Sequence, residues 1–143
     1  MLGAATFRGP IAVTVVYFVL WYALLFGLQT KTKYRLKAKY AAEGKVFDRY
    51  LGEDPEMLAA DRAVANTHEQ MVPFLVSMWM CAAFVSAATA TSLGMVYVLL
   101  RAIYPWLLGV RLGPTQSKRV AFATFPAYLI IFTMLGLTAN AAF

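Results

Sequence analysis

Asn66 and Glu69 follow Arg62 by four and seven residues, at the entrance to a long apolar run, Met71 to Val85. On an α-helix these offsets stack a cation, an amide and a carboxylate on one face. None of the three contributes to apolar packing. Each needs a polar partner, and ionisable groups at the mouth of a membrane-length segment point to a functional site. The chemistry they offer is recognition of a ligand that carries charges and amides of its own.

A second cation, Arg101, falls inside another apolar segment, and Tyr104 follows it on the same helical face. An unpaired arginine at such depth costs at least about 2.5–3.5 kcal/mol. Glu69 is the expected partner, and Asp61 is the other acid close to an apolar segment. Two readings follow: an interhelical ion pair that sets register, or half of an anion-binding or peptide-binding site. Pro73 lies four residues beyond Glu69, so a kink and a freed Glu69 carbonyl are expected beside the carboxylate. His68 points about a hundred degrees away from Glu69 and reads as a surface or inter-subunit hydrogen-bonding residue. Cys81, the single cysteine, reads as a small buried hydrophobe. No zinc spacing, nucleophile elbow, phosphate loop or dinucleotide fingerprint is present, so no metal site is expected.

These residues need elements to hold them, and composition says which. Of 143 residues, 61% are hydrophobic and 14% charged, against roughly 45–50% and about 25% in soluble domains. The excess predicts an all-α membrane protein: a single domain, 1–143, folded as an antiparallel four-helix transmembrane bundle. Helices are expected at about 10–30, 59–90, 93–110 and 117–140, with turns at Thr91–Gly94 and Gly113–Pro114. Residues 31–58 form a polar segment whose first turns continue the first helix. The net charge of +6 is concentrated in Lys31, Lys33, Arg35, Lys37 and Lys39. That tract, together with Arg111, Lys118 and Arg119, places both basic loops on the cytoplasmic side and both termini opposite. The basic residues meet the lipid bilayer; without a recognition motif, nucleic acid is not an expected partner.

Taken in order, these features resemble the MAPEG family, the membrane-associated proteins in eicosanoid and glutathione metabolism. The resemblance rests on Lys31-Thr-Lys-Tyr-Arg-Leu-Lys, on Glu53-Asp-Pro-Glu, and on Arg62-Ala-Val-Ala-Asn66-Thr-His-Glu69-Gln-Met-Val-Pro73-Phe-Leu75. The last string is similar to the family's Arg-x-x-x-Asn-x-x-Glu and Pro-x-Phe-Leu signature. Arg101 and Tyr104 stand where its third helix carries an arginine and, three residues on, a tyrosine or histidine. The resemblance implies a homotrimer, or a larger membrane assembly, with glutathione as substrate or cofactor between protomers. It implies that Arg62, Asn66, Glu69, Arg101 and Tyr104 bind glutathione, and that Arg119 and Tyr104 serve catalysis on a lipophilic small molecule. The implied activity is that of a glutathione transferase or peroxidase acting on electrophiles or lipid hydroperoxides.

Departures from the pattern leave a second reading open. Leu108 replaces a tyrosine found in some members, and Pro105 is expected to interrupt the third helix after Tyr104. The arginine that opens the family's fourth helix corresponds to Arg119 by type, or to Gln116 by alignment on Pro126. The alternative is a non-catalytic accessory subunit of a larger membrane complex, or a lipid-binding partner protein. The resemblance implies the endoplasmic reticulum by default, with mitochondrial and plastid membranes also open.

Overall fold

The computed structural model describes residues 5–113 and 118–143, whose regular secondary structure is helical, with no strand among them. The first pass is one uninterrupted run, Arg8–Ala42. It consists of α1 (Arg8–Tyr22), a π-helical segment (Ala23–Thr30) and α2 (Lys31–Ala42). Pro10 sits in the first turn of α1, where its missing N–H costs no hydrogen bond. In the π-helical segment the Thr30 hydroxyl donates to the carbonyl of Leu25, five residues back, at 2.9 Å. The first turns of the polar segment are helical, as the sequence predicts, and α2 carries the basic tract past the apolar portion.

The second pass is divided into α3 (Pro55–Glu69) and α4 (Met71–Phe84). It begins earlier than the expected Ala59 because Asp54 caps it. The Asp54 carboxylate accepts from the N–H groups of Glu56 and Met57 at 2.9 and 3.1 Å, with Pro55 at the first helical position. Pro73 has no N–H to offer the Glu69 carbonyl, and the helix is interrupted at Gln70. The ladder resumes where the N–H of Phe74 meets the Gln70 carbonyl at 3.1 Å.

The next reversal falls at Val85–Ser86 and not at the expected Thr91–Gly94. Ser86 is the reason: its hydroxyl accepts from the Thr89 N–H at 3.2 Å and caps α5 (Ala87–Leu108). The Thr91 hydroxyl instead donates to the Ala87 carbonyl inside the helix. Gly94 is a packing residue. A Cβ there would stand 2.9 Å from Val13 and 3.1 Å from Met78, so glycine lets α1 and α4 close on α5. Pro105 does not interrupt the helix, which continues to Leu108. The missing N–H removes one bond close to the helix end, where the ladder is already running out. A short 3-10 turn, Lys118–Val120, leads into α6 (Ala121–Ala142), within the usual boundary scatter of the expected helix. The expected break at Pro114 lies outside the described residues.

The four passes form the antiparallel bundle. Val13, Tyr17, Phe74, Met78, Tyr97, Ile131 and Met134 fill its centre, where Phe74 stacks on Tyr97 with centroids 3.9 Å apart. The outside is apolar as well: Val15, Val19 and Phe26 on the first pass and Phe122, Leu129 and Phe132 on α6 are exposed. A surface of this kind belongs in lipid. Among the described residues three helices are long and apolar enough to cross a membrane, and the protein is an integral membrane protein. The second pass lacks that uniform character because its first half, α3, carries the polar residues. At the basic end the Leu112 N–H donates to the Pro55 carbonyl at 3.0 Å, and Arg111 pairs with Glu56 at 3.1 Å. Both basic loops therefore lie at the same end of the bundle.

Candidate functional site

Arg101 is brought to Asn66 by the packing of α5 against α3. Its guanidinium donates to the Asn66 side-chain oxygen and lies over the Tyr104 ring, 4.8 Å from the centroid. Arg101 is 1% exposed and Asn66 9%. The expected Glu69 partner is not used. Asn66 is the residue on the buried side of α3, while Glu69 is exposed at the end of the helix beside the Gln70 interruption. Arg101 is thus a buried cation held by an amide and a ring. Its Nε has no hydrogen-bond partner among the described residues.

The contact has a chemical consequence. An asparagine amide holds an acceptor oxygen and a two-donor nitrogen. With its oxygen committed to Arg101, the nitrogen is left to donate outward. A network behind the pair supports α3 from the far side. The Tyr17 hydroxyl donates to the Thr67 carbonyl at 2.6 Å, next to Asn66 and just before the interruption. Tyr17 in turn packs on Phe74 and Tyr97, with centroids 5.1 and 6.1 Å away.

Beside Asn66 a cleft of about 350 Å³ opens between α3, α5 and the start of α6. Arg62, Asn66 and Tyr104 line it together with Lys118, Thr124 and Tyr128. Arg101 is not in the lining; it stands behind Asn66 and Tyr104. Arg62 and Glu69 are exposed, and neither makes a hydrogen bond or ion pair among the described residues. Asp61 is occupied elsewhere, receiving both Arg49 nitrogens at 2.8 and 2.9 Å and the Gln29 amide at 2.8 Å.

Lys118, Thr124 and Tyr128 were not singled out from the sequence as site residues. A signal existed: Thr124 and Tyr128 are polar residues one turn apart at the start of an otherwise apolar helix. Tyr128 also accepts a hydrogen bond from Gln70 at 3.1 Å, tying α6 to the break in the second pass. Arg119 lies on the same 3-10 turn as Lys118 and is exposed; Gln116 is outside the described residues. His68 stacks on Trp21, with centroids 5.6 Å apart, at the surface. Leu108 is buried with Ala63, Tyr104 and Ala123.

A polytopic helical bundle with a basic cleft beside a buried arginine defines an integral membrane protein with a polar site at one end. The chain belongs to the MAPEG family, whose model matches residues 11–140. That family is one of membrane proteins of glutathione and eicosanoid metabolism, and it generally uses glutathione. No curated protein matches this chain.

Proposed function

We propose that the protein binds glutathione in the cleft between α3, α5 and α6 and transfers its thiolate to lipophilic electrophiles or lipid hydroperoxides. The observation that supports this most is Arg101. A buried cation bonded to an amide, directly behind an open cleft lined by Arg62 and Lys118, leaves positive charge for an anionic ligand to meet. Glutathione carries two carboxylates, an ammonium and two peptide groups. In this reading Arg62 and Lys118 receive carboxylates, the Asn66 nitrogen donates to a carbonyl or carboxylate, and exposed Glu69 meets the ammonium. Glu69 lies outside the cleft lining of its own chain, so in this reading the ligand sits where copies of the chain meet, in the homotrimer that the family resemblance implies.

The chemical task is ionisation of the thiol. A free thiol has a pKa near 8.5 and is mostly protonated at neutral pH. The cations of the Lys118–Val120 turn, Arg119 among them, favour the thiolate, and the Tyr104 hydroxyl can donate to it. The thiolate sulfur then bonds to an electrophilic carbon as the leaving group departs. With a hydroperoxide, the thiolate sulfur attacks the terminal oxygen and the O–O bond breaks, giving a sulfenic acid of glutathione and an alkoxide that takes up a proton. A second glutathione then displaces water from the sulfenic acid to leave the disulfide. The lipophilic partner reaches the cleft laterally from the bilayer.

Conjugation of glutathione to a chromogenic electrophile by the purified protein tests the reading. Arg62→Ala and Asn66→Ala each remove a charge-assisted or buried hydrogen bond worth about 1.5–3 kcal/mol. The expected result is a loss of roughly 10- to 100-fold in kcat/KM, carried mainly by KM. Absence of turnover together with absence of glutathione binding overturns it. Leu108 favours a second reading, since an aliphatic side chain buried against Tyr104 can donate nothing to a thiolate. Saturable glutathione binding without turnover, with a heteromeric mass in native spectra, identifies a non-catalytic accessory or lipid-binding member.

A further inference from the structure

A separate cavity of about 430 Å³ lies at the basic end, on the other side of α3, and shares no lining residue with the glutathione cleft. Its size is that of a small-molecule site. Three features of the chain build it. The π-helical segment presents Leu24 and Leu28 as one wall, and π-helical backbone is rare and concentrated at functional positions. Ala59, Ala60 and Ala63 form a floor of methyl groups on α3, where longer side chains would fill the space. Pro105 and Trp106 of α5 form the third side, and Trp106 is 85% exposed at the mouth.

The rim is charged. Arg35 and Glu56 line it, and Arg111, just outside the lining, joins Arg35 in pairing with Glu56, one cation on each carboxylate oxygen. The Glu56 side chain is 12% exposed, whereas those of Arg35 and Arg111 are 54% and 66% exposed. Glu56 lines the cavity, but each of its carboxylate oxygens is held by a guanidinium, so its charge is answered within the site. Two guanidinium groups still have outward N–H donors, with one positive charge in excess, in the fork geometry that suits phosphate. An apolar trough beneath a paired-arginine rim, with an aromatic ring at the mouth, matches an amphiphile with an anionic head.

We propose that this cavity is a site for an anionic phospholipid, with an acyl chain along the alanine floor and the headgroup phosphate between Arg35 and Arg111. Basic pockets between membrane helices select anionic headgroups, and each arginine near the surface contributes a severalfold preference. The site does not depend on glutathione chemistry. It is a lipid contact that holds α2, α3 and the end of α5 together at one leaflet.

The test is native mass spectrometry of the full chain released from micelles. Phosphatidylglycerol and phosphatidylcholine of identical acyl chains are added separately. Retention of phosphatidylglycerol should exceed that of phosphatidylcholine by about tenfold. Arg35→Gln with Arg111→Gln should abolish the preference. Ala102→Phe, at an exposed position of the cavity wall, should remove the bound lipid and leave glutathione binding unchanged. Equal retention of the two lipids, or unaltered retention in Ala102→Phe, overturns the proposal. So does dissociation of an oligomer by Ala102→Phe, which would put a second copy of the chain in the trough. If Ala102→Phe does not fold, the double glutamine variant decides, because its substitutions lie at exposed side chains.

Discussion

Arg101 illustrates how a buried charge is kept without a counter-charge. The amide of Asn66 and the ring of Tyr104 replace water around the guanidinium, and Arg101 in exchange fixes which way the amide faces. Arg101→Ala leaves a cavity and an unanswered Asn66 oxygen, and should cost about 3 kcal/mol or more in thermal unfolding of the micellar protein. Arg101→Lys keeps the charge but loses the planar fork. It should fold and yet lose glutathione affinity, which calorimetric titration would register. Tyr17→Phe removes one buried hydrogen bond to Thr67 and should cost about 1 kcal/mol. At the basic end, the hydrogen bond from Arg35 holds the Glu56 carboxyl below the ordinary glutamate range; partial burial opposes this, and the charges of Arg35 and Arg111 add to it. A lowered folded pKa means that the stabilisation is present above the unfolded glutamate pKa and is lost as pH falls through the folded value. Acid titration of thermal stability should therefore show a loss in that window for the native chain and a flatter profile for Glu56→Gln.

Helix ends and close approaches follow local chemistry that sequence periodicity does not display. Both alternative turn sites between the second and third passes carry small polar residues, Ser86 on one hand and Thr91 and Ser92 on the other. Ser86 is the one that caps, and Thr91 and Gly94 then lie inside α5 at close contacts with the first pass: a Cβ on Gly9 would stand 2.1 Å from the Thr91 hydroxyl oxygen. Gly94→Ala should therefore destabilise the bundle by about 1–3 kcal/mol through overpacking against Val13 and Met78. The gain in helix propensity is smaller than that. Thermal unfolding distinguishes the two signs. The interruption at Gln70 has a legible cause in Pro73, and it gives Gln70 its contact with Tyr128 beside the cleft.

The bundle as a unit places the basic cleft, the basic loops and the paired arginines of the second cavity at one end. Hydrogen bonds and ion pairs between the loops, from Leu112 to Pro55 and from Arg111 to Glu56, make that shared end a structural fact. Single cysteines introduced as Lys45→Cys and Gly113→Cys should then react with a membrane-impermeant thiol reagent from one side of sealed vesicles. Phe143→Cys should react from the other. The native Cys81 is fully buried and should stay silent. Labelling of all three positions from one side would refute the antiparallel arrangement.

Membrane character, the number of passes and the polar set Arg62, Asn66, Glu69, Arg101 and Tyr104 are carried by composition and helical spacing. An apolar chain with isolated charges at fixed helical offsets has few ways to fold, and the family signature sits on the same residues. Which polar group answers which was a matter for packing. Charge pairing pointed Arg101 at Glu69, but the rotation of α3 turned Asn66 inward and left Glu69 at the surface. Lys118, Thr124 and Tyr128 joined the cleft because α6 docks beside α3, a neighbourhood created by contacts between residues far apart in the chain. The second cavity has the same origin. Its alanines, Arg35 and π-helical wall are scattered from Leu24 to Val110, and their convergence depends on how three helices lean together.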